Sequence, residues 1–353
     1  MKQIILLCIG LTDAFSNLSA QTFDISYVTE LQYNLNNKVN MSNLLRLRAT
    51  IPTKHNGEFA LETIHIFRTN PERVVNDRQV FSNIEEENLP CGISVLGYTQ
   101  YFRNSSFFAG IRNLNADYFD SPGMVLFTNS SCGIFPTISA NYPVANYPVS
   151  CMCIDYKAVF KRWSVEVSLY NGVAYRGISG RNNPFIVNPV KDGVFGIAEI
   201  CYIGDNGTYF AGSGLHNRYE HPERGIDKRV NCVWWGYAEQ CLLKTGIREI
   251  TLLAQYSRGT YTSNGCKRYF EAGLVWLENR KENTHYIGIS VHTAQYGYGN
   301  ETAAEITYRY NICGNFFIQP AVHLIKSNSE YQKVFLIRLS YNVSISDKRK
   351  NLQ

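Results

Sequence analysis

The 353-residue sequence predicts an all-β fold: a transmembrane antiparallel β-barrel of about 16 strands with an inward-folded constriction loop. Three observations point to it. Long segments alternate apolar and polar residues at period two, which in a strand separates a dry face from a wet one. The dry faces carry Tyr, Phe or Trp at their ends, where a strand crossing a bilayer meets the headgroups. One long segment in the middle of the chain, Leu114 to Val149, shows neither strand nor helix periodicity.

Residues 1–20 come first. Lys2, an apolar run from Ile4 to Leu11, and Ser19-Ala20 have the layout of a secretory signal peptide with cleavage near Ala20. Residues 21–353 read as a single β-barrel domain. Beyond the leader no run of apolar residues is long enough for a membrane-spanning helix. A barrel strand needs only about ten residues of alternating character per crossing. The formal charge of +5 is small for this length, and no Lys/Arg run argues for a nucleic-acid partner. Nine cysteines follow residue 20, with no zinc-like spacing; most read as small apolar fillers, and any disulfide pairing is left open.

The strand candidates fall at 23–35, 42–53, 57–69, 92–103, 105–113, 150–160, 163–177, 193–206, 207–219, 231–244, 249–261, 266–279, 284–297, 301–314, 315–327 and 333–345. The last is the sharpest: Phe335, Ile337, Leu339, Tyr341, Val343 and Ile345 oppose Arg338, Ser340, Asn342 and Ser344. In 301–314, Ala304, Ile306, Tyr308, Tyr310 and Ile312 oppose Glu305, Thr307, Arg309 and Asn311. Segments 207–219 and 92–113 alternate poorly. A soluble sandwich also alternates, but its strands centre on about five or six residues and its dry face is aliphatic. A mid-strand Arg309 or Arg338 requires a wet face, which a water-filled lumen supplies. The inward-facing candidates on this pattern are Arg46, Arg48, Glu62, Arg112, Glu166, Arg309 and Arg338. The turns read as alternately short and long, with "NLNNKVN" among the short ones and "NPERVVNDRQVFSNIEEENLP" as an outer loop.

The irregular segment 114–149 contains Pro122, Pro136, Pro143 and Pro148, and no charge lies between Asp120 and Asp155. A loop of this length is unusual unless it serves a purpose. In a wide barrel that purpose is to fold inward and narrow the lumen, with Asn129, Ser130, Ser131, Tyr142, Asn146 and Tyr147 offering amides, hydroxyls and rings to hydroxylated solutes.

The blocks "GIRNLNADYF", "LFTNSSCGIFPTISANYPVANYPV", "GRNNPFIVNPVKDGVFGIAEICY" and "AEITYRYNICGNFFIQPAVHLI" together resemble the carbohydrate-selective porin family of bacterial outer membranes. The matching positions are Asn129, Ser130, Ser131, Pro136, Asn146, Pro148, Asn188, Pro189, Asp192, Gly193, Gln319 and Pro320. The resemblance implies passive diffusion of small saccharides or other hydrophilic solutes through a sixteen-stranded barrel in the bacterial cell outer membrane. Its partners would be outer-membrane lipid and the outer-membrane assembly machinery, and self-association into a homo-oligomer is compatible with it. One departure is the basic tail 346–353, where such barrels commonly end on an aromatic. No catalytic residue, cofactor or metal ion is expected. Two other readings stand beside the channel: an outer-membrane barrel with an adhesin or enzyme role, for which Ser290 and His292 share a wet face, and a secreted sugar-binding β protein.

Overall fold

A computed structural model of the chain describes residues 22–119, 121–177, 179–180, 182–217, 219–221, 225–227, 230–260, 265–280, 283–328 and 330–346. The leader 1–20 and nearly all of the tail 346–353 lie outside the described residues. The strands are β1 (Thr22–Asn34), β2 (Lys38–Pro52), β3 (Gly57–Arg68), β4 (Leu89–Tyr101), β5 (Ser105–Arg112), β6 (Cys151–Phe160), β7 (Trp163–Asn171), β8 (Val194–Ile203) and β9 (Gly207–His216). A short hairpin, β10 (Tyr219–His221) and β11 (Gly225–Asp227), follows. Then come β12 (Asn231–Thr245), β13 (Arg248–Gly259), β14 (Cys266–Asn279), β15 (Thr284–Tyr296), β16 (Gly299–Cys313), β17 (Phe316–Ser327) and β18 (Glu330–Ser346). All but the hairpin form one closed sixteen-stranded antiparallel sheet in chain order, and β1 pairs with β18 from Thr22↔Ser346 to Asn34↔Val334.

Closure turns alternation into two environments. Outside, Leu31, Ile287, Ile289, Val291, Ile306, Ile337 and their neighbours are exposed and apolar. Inside, Glu30, Gln32, Ser42, Glu271, Glu305 and Gln319 are buried and polar. This inversion of a soluble protein is the arrangement that hydrocarbon solvates. No helix among the described residues is long and apolar enough to cross a membrane. Ring contacts gather toward one rim, as between Phe59 and Tyr98 at 4.8 Å and between Trp163 and Tyr202 at 4.7 Å.

The poor alternation of β9 has a packing cause. Inward-facing Gly212 and Gly214 lie under the Trp235 and Phe195 rings, and a Cβ at Gly212 would come within 2.3 Å of Trp235. Large aromatics on neighbouring strands therefore fill space that side chains of β9 leave open. The strand expected over 163–177 ends at Asn171; at Gly172 the two ends of the next loop meet, with the Gly172 N–H donating to the Gly193 carbonyl at 3.0 Å and the Asp192 carbonyl so close that a Cβ would come within 2.3 Å of it.

The two rims differ. At one lie Thr22, Ser346 and the connections 53–56, 102–104, 161–162, 204–206, 246–247, 280–283 and 314–315, none longer than four residues. At the other lie the long connections 69–88, 113–150, 172–193 and 217–230, together with short turns. Turn 35–37 belongs to this long-loop rim although it is short.

Candidate functional site

Segment 113–150 turns into the barrel and is held there through its backbone. Glu305 of β16 is fully buried; it accepts the Thr128 N–H at 2.8 Å and Oγ1 at 3.0 Å, and the Asn129 N–H at 3.1 Å. Glu239 of β12 accepts the Gly123 N–H at 3.1 Å, and Gln319 of β17 donates to the Leu126 carbonyl at 2.6 Å. Asn141 donates to the Cys266 carbonyl and accepts its N–H, both at 2.7 Å. A loop buried without such partners would leave backbone dipoles unsatisfied, at about 1–3 kcal/mol each.

Apolar packing sets which side of the lumen the loop occupies. Phe119, Phe135 and Ile138 join Trp235, Tyr269, Phe195 and Phe210 of the wall in one buried cluster. The rings of Phe119 and Phe135 stand edge-on at 5.3 Å, and Phe119 meets Trp235 at 5.2 Å. The loop thereby fills the lumen beside β8, β9, β12, β13 and β14.

A second segment, 69–88, also turns inward, contrary to its reading as an outer loop. Val74, Val75, Phe81 and Ile84 are buried, the first three in a cluster with Ala321, Val334 and Leu336. Glu301 of β16 accepts the Arg78 N–H at 3.0 Å and the Gln79 N–H at 2.8 Å. Within the segment Arg73 pairs with Asp77 at 2.7 Å and Glu85 at 3.4 Å. Burial pushes the Asp77 carboxyl up to about 7 against the opposing pull of Arg73.

A cavity of about 480 Å³ lies between the wall formed by β18, β1, β2, β3 and β4 and the inner side of 113–150. Its wall side carries Ser26, Arg46, Arg48, Glu62, Ser94 and Arg338; its loop side carries Asn113, Asn115, Ser130, Asn146 and Tyr147. The wall residues share one face because β1 and β2 register Ser26↔Arg46 and Asp24↔Arg48, and β2 and β3 register Arg48↔Glu62.

The arginines differ in their partners. Arg338 donates through Nε at 2.7 Å and approaches through Nη2 at 2.5 Å to Glu30, and gives a 2.7 Å hydrogen bond to Asn83. The other Glu30 oxygen accepts from Ser82 at 2.6 Å and Gln32 at 2.9 Å. Arg48 reaches Glu62 at 3.7 Å. Arg46 is exposed although it faces the lumen, and its guanidinium lies 6.0 Å from the centre of the Tyr147 ring.

Seven of the sequence-derived residues thus meet at one cavity: Arg46, Arg48, Glu62, Arg338, Ser130, Asn146 and Tyr147. The others are held elsewhere. Arg112 is tied to Asp117 at 2.6 Å and Asp155 at 3.1 Å, and Glu166 to Lys157 at 2.7 Å. Arg309 lies between the rings of Tyr286 and Phe317, at 4.5 and 4.9 Å. Asn129 caps a 3₁₀ turn through Ser131, and Tyr142 stacks on His216 at 5.8 Å. Sequence reasoning missed Glu30 and Asn83. Glu30 was legible, since it continues the even-numbered wet face Asp24, Ser26 of β1; Asn83 depends on the unforeseen insertion of 69–88. Ser290 and His292 both face inward, and His292 is engaged by Gln79 at 2.9 Å. Among the described residues no cluster of His, Cys, Asp and Glu could hold a metal ion.

No protein-family model and no curated protein matches the chain. Solved structures do match. The low-pH structure of Pseudomonas putida OprB superposes with a TM-score of 0.61 at 15% identity, covering 95% of this chain and 96% of that one. The Salmonella typhi OmpF complex with daunomycin gives a TM-score of 0.61 at 9% identity, covering 92% and 97%. The anion-selective porin from Comamonas acidovorans gives 0.58 at 8% identity, covering 92% and 99%. The chain has the fold of the sixteen-stranded outer-membrane porins.

Proposed function

We propose that this protein is a channel of the bacterial outer membrane that passes small hydrophilic solutes by passive diffusion, with saccharides as its preferred class. The observation that carries the reading is the cavity: it is walled by hydroxyls and guanidinium groups on one side and by loop amides on the other, inside a barrel whose outer surface is apolar. Donors and acceptors on opposite walls can replace the hydration of a polyol as it passes, and the Tyr147 ring offers a face to the apolar side of a sugar ring. The fold shared with OprB and the block resemblance to carbohydrate-selective porins support the same reading. Segment 113–150 acts here as the constriction. An enzymatic role lacks support: Ser290 and His292 lie beneath the inserted loops, with His292 committed to Gln79.

The test is single-channel conductance of the folded protein in planar bilayers, titrated with glucose and maltose. Stable steps that fall as sugar is added are expected; steps indifferent to sugar would remove the saccharide preference. Deleting residues 129–146 should raise the conductance, and an unchanged value would sink the constriction role.

A further inference from the structure

We propose that the cavity favours hydroxylated solutes bearing a single carboxylate, of the sugar-acid type, over neutral sugars, and that Arg46 is the residue that meets the carboxylate. This rests on the channel reading above and names the substrate class of the same cavity.

The inference comes from charge balance along the lining. The charged residues there are Arg46, Arg48, Arg338 and Glu62. Arg338 is neutralised by Glu30, which sits behind it at 2.5 Å and is itself fully buried. Arg48 faces Glu62 at 3.7 Å. Arg46 has no carboxylate within ion-pair distance among the described residues. Its cross-strand partners are Ser26 on β1 and Ile64 on β3, and Leu44 and Arg48 flank it on its own face. The loop opposite supplies no counter-charge, because no charged residue lies between Asp120 and Asp155, and Asp117 is engaged by Arg112 at 2.6 Å.

Arg46 is therefore the guanidinium of the lining that is exposed and has no carboxylate at ion-pair distance among the described residues. A second feature points to the same place. Tyr147, against whose ring Arg46 rests, lines the cavity, and its buried hydroxyl makes no hydrogen bond among the described residues. A planar carboxylate matches the guanidinium fork, while Asn115, Asn146 and Ser130 opposite suit hydroxyls on the rest of the solute. The two halves of such a solute thus find different walls. A neutral sugar can use the same hydroxyls, amides and ring but brings no charge to Arg46.

The experiment uses the full-length protein, folded into planar bilayers at neutral pH, with sodium glucuronate and glucose as paired probes of similar size. Glucuronate should half-block the current at a concentration about five-fold lower than glucose, the ratio that one charge pair in a wet lumen supplies. Arg46→Gln should collapse that ratio toward one and lower the anion preference read from the reversal potential in a KCl gradient. Arg46→Lys should retain much of both. Heat-modifiable gel mobility checks that each variant is folded. Equal half-block by the two probes in the wild type, or a preference that survives Arg46→Gln, overturns the assignment to Arg46 and leaves the channel standing. Absence of conductance steps from folded protein overturns the channel and the assignment together.

Discussion

Glu305 shows how single residues hold this interior together. Its carboxylate gathers two backbone N–H groups and a hydroxyl from Thr128 and Asn129. Glu305→Ala leaves the Thr128 and Asn129 N–H groups buried and unpaired, at about 1–3 kcal/mol each, while the Thr128 hydroxyl keeps the Phe81 carbonyl and His323 as partners. We expect loop 113–150 to become accessible to protease added to the folded barrel; unchanged protection would show that apolar packing alone retains it. Asp77 gives a pH-dependent counterpart. Burial raises its carboxyl to about 7, above the unfolded value near 4. Between those values the folded state holds the extra proton, so the contribution of Asp77 to stability is greatest below about pH 4 and declines as pH rises through 7. Asp117, raised to about 6 by burial, acts in the same direction. Segment 69–88 should therefore resist protease better at pH 5 than at pH 8, and Asp77→Asn should flatten that difference; a reversed dependence would contradict the assignment. At this scale the sequence was partly legible. Period-two alternation puts Arg46, Arg48, Glu62 and Arg338 on the wet side, but it says nothing about which of them carries a counter-ion. Glu30 behind Arg338 and the absence of any such partner at Arg46 among the described residues follow from three-dimensional neighbourhood, which no local pattern encodes.

Among elements, the contrast is between strands and inserted loops. The strands were readable because each residue's environment repeats every second position, although the end expected at 177 falls six residues earlier, at Asn171. Segment 114–149 was readable as an insertion from its length and from the uncharged stretch between Asp120 and Asp155. Segment 69–88 was not: its buried Val74, Val75, Phe81 and Ile84 are scattered among Glu72, Arg73, Asp77, Arg78 and Glu85, and resemble a solvated loop. Val74, Val75 and Phe81 find their partners in β16, β17 and β18, more than two hundred positions away in the chain, while Ile84 packs on Leu44, Ile64 and Ile66 of β2 and β3. Phe135 makes the corresponding point for the longer loop. It is fully buried and touches Phe119, Trp235 and Tyr269. Phe135→Ala should destabilise the docked loop by roughly 3–5 kcal/mol, the usual range for an aromatic removed from a core. The measurement is open-channel current noise, which should rise as the loop fluctuates; a quiet current would place the loop's stability elsewhere.

The whole molecule divides its lumen lengthwise. An aromatic cluster fills the half beside β8, β9, β12, β13 and β14, and the cavity occupies the half beside β18 and β1 to β4. Cysteines sit in this scheme as fillers: all those in the described residues are free, and Cys132, Cys151, Cys153 and Cys266 are buried. Adding a thiol reductant should leave the thermal transition of the folded barrel unmoved, and a downward shift would reveal a bridge that the geometry does not contain. The pairing of β1 with β18 joins the ends of the ladder that are farthest apart in sequence, and contacts of that separation are slow to form. The same seam carries Ser26, Glu30 and Arg338, so the cavity is bounded on one side by the two strands most distant in sequence. The wall of the cavity is therefore complete only when the two ends of the chain have met, so its shape depends on closure as much as on any lining residue.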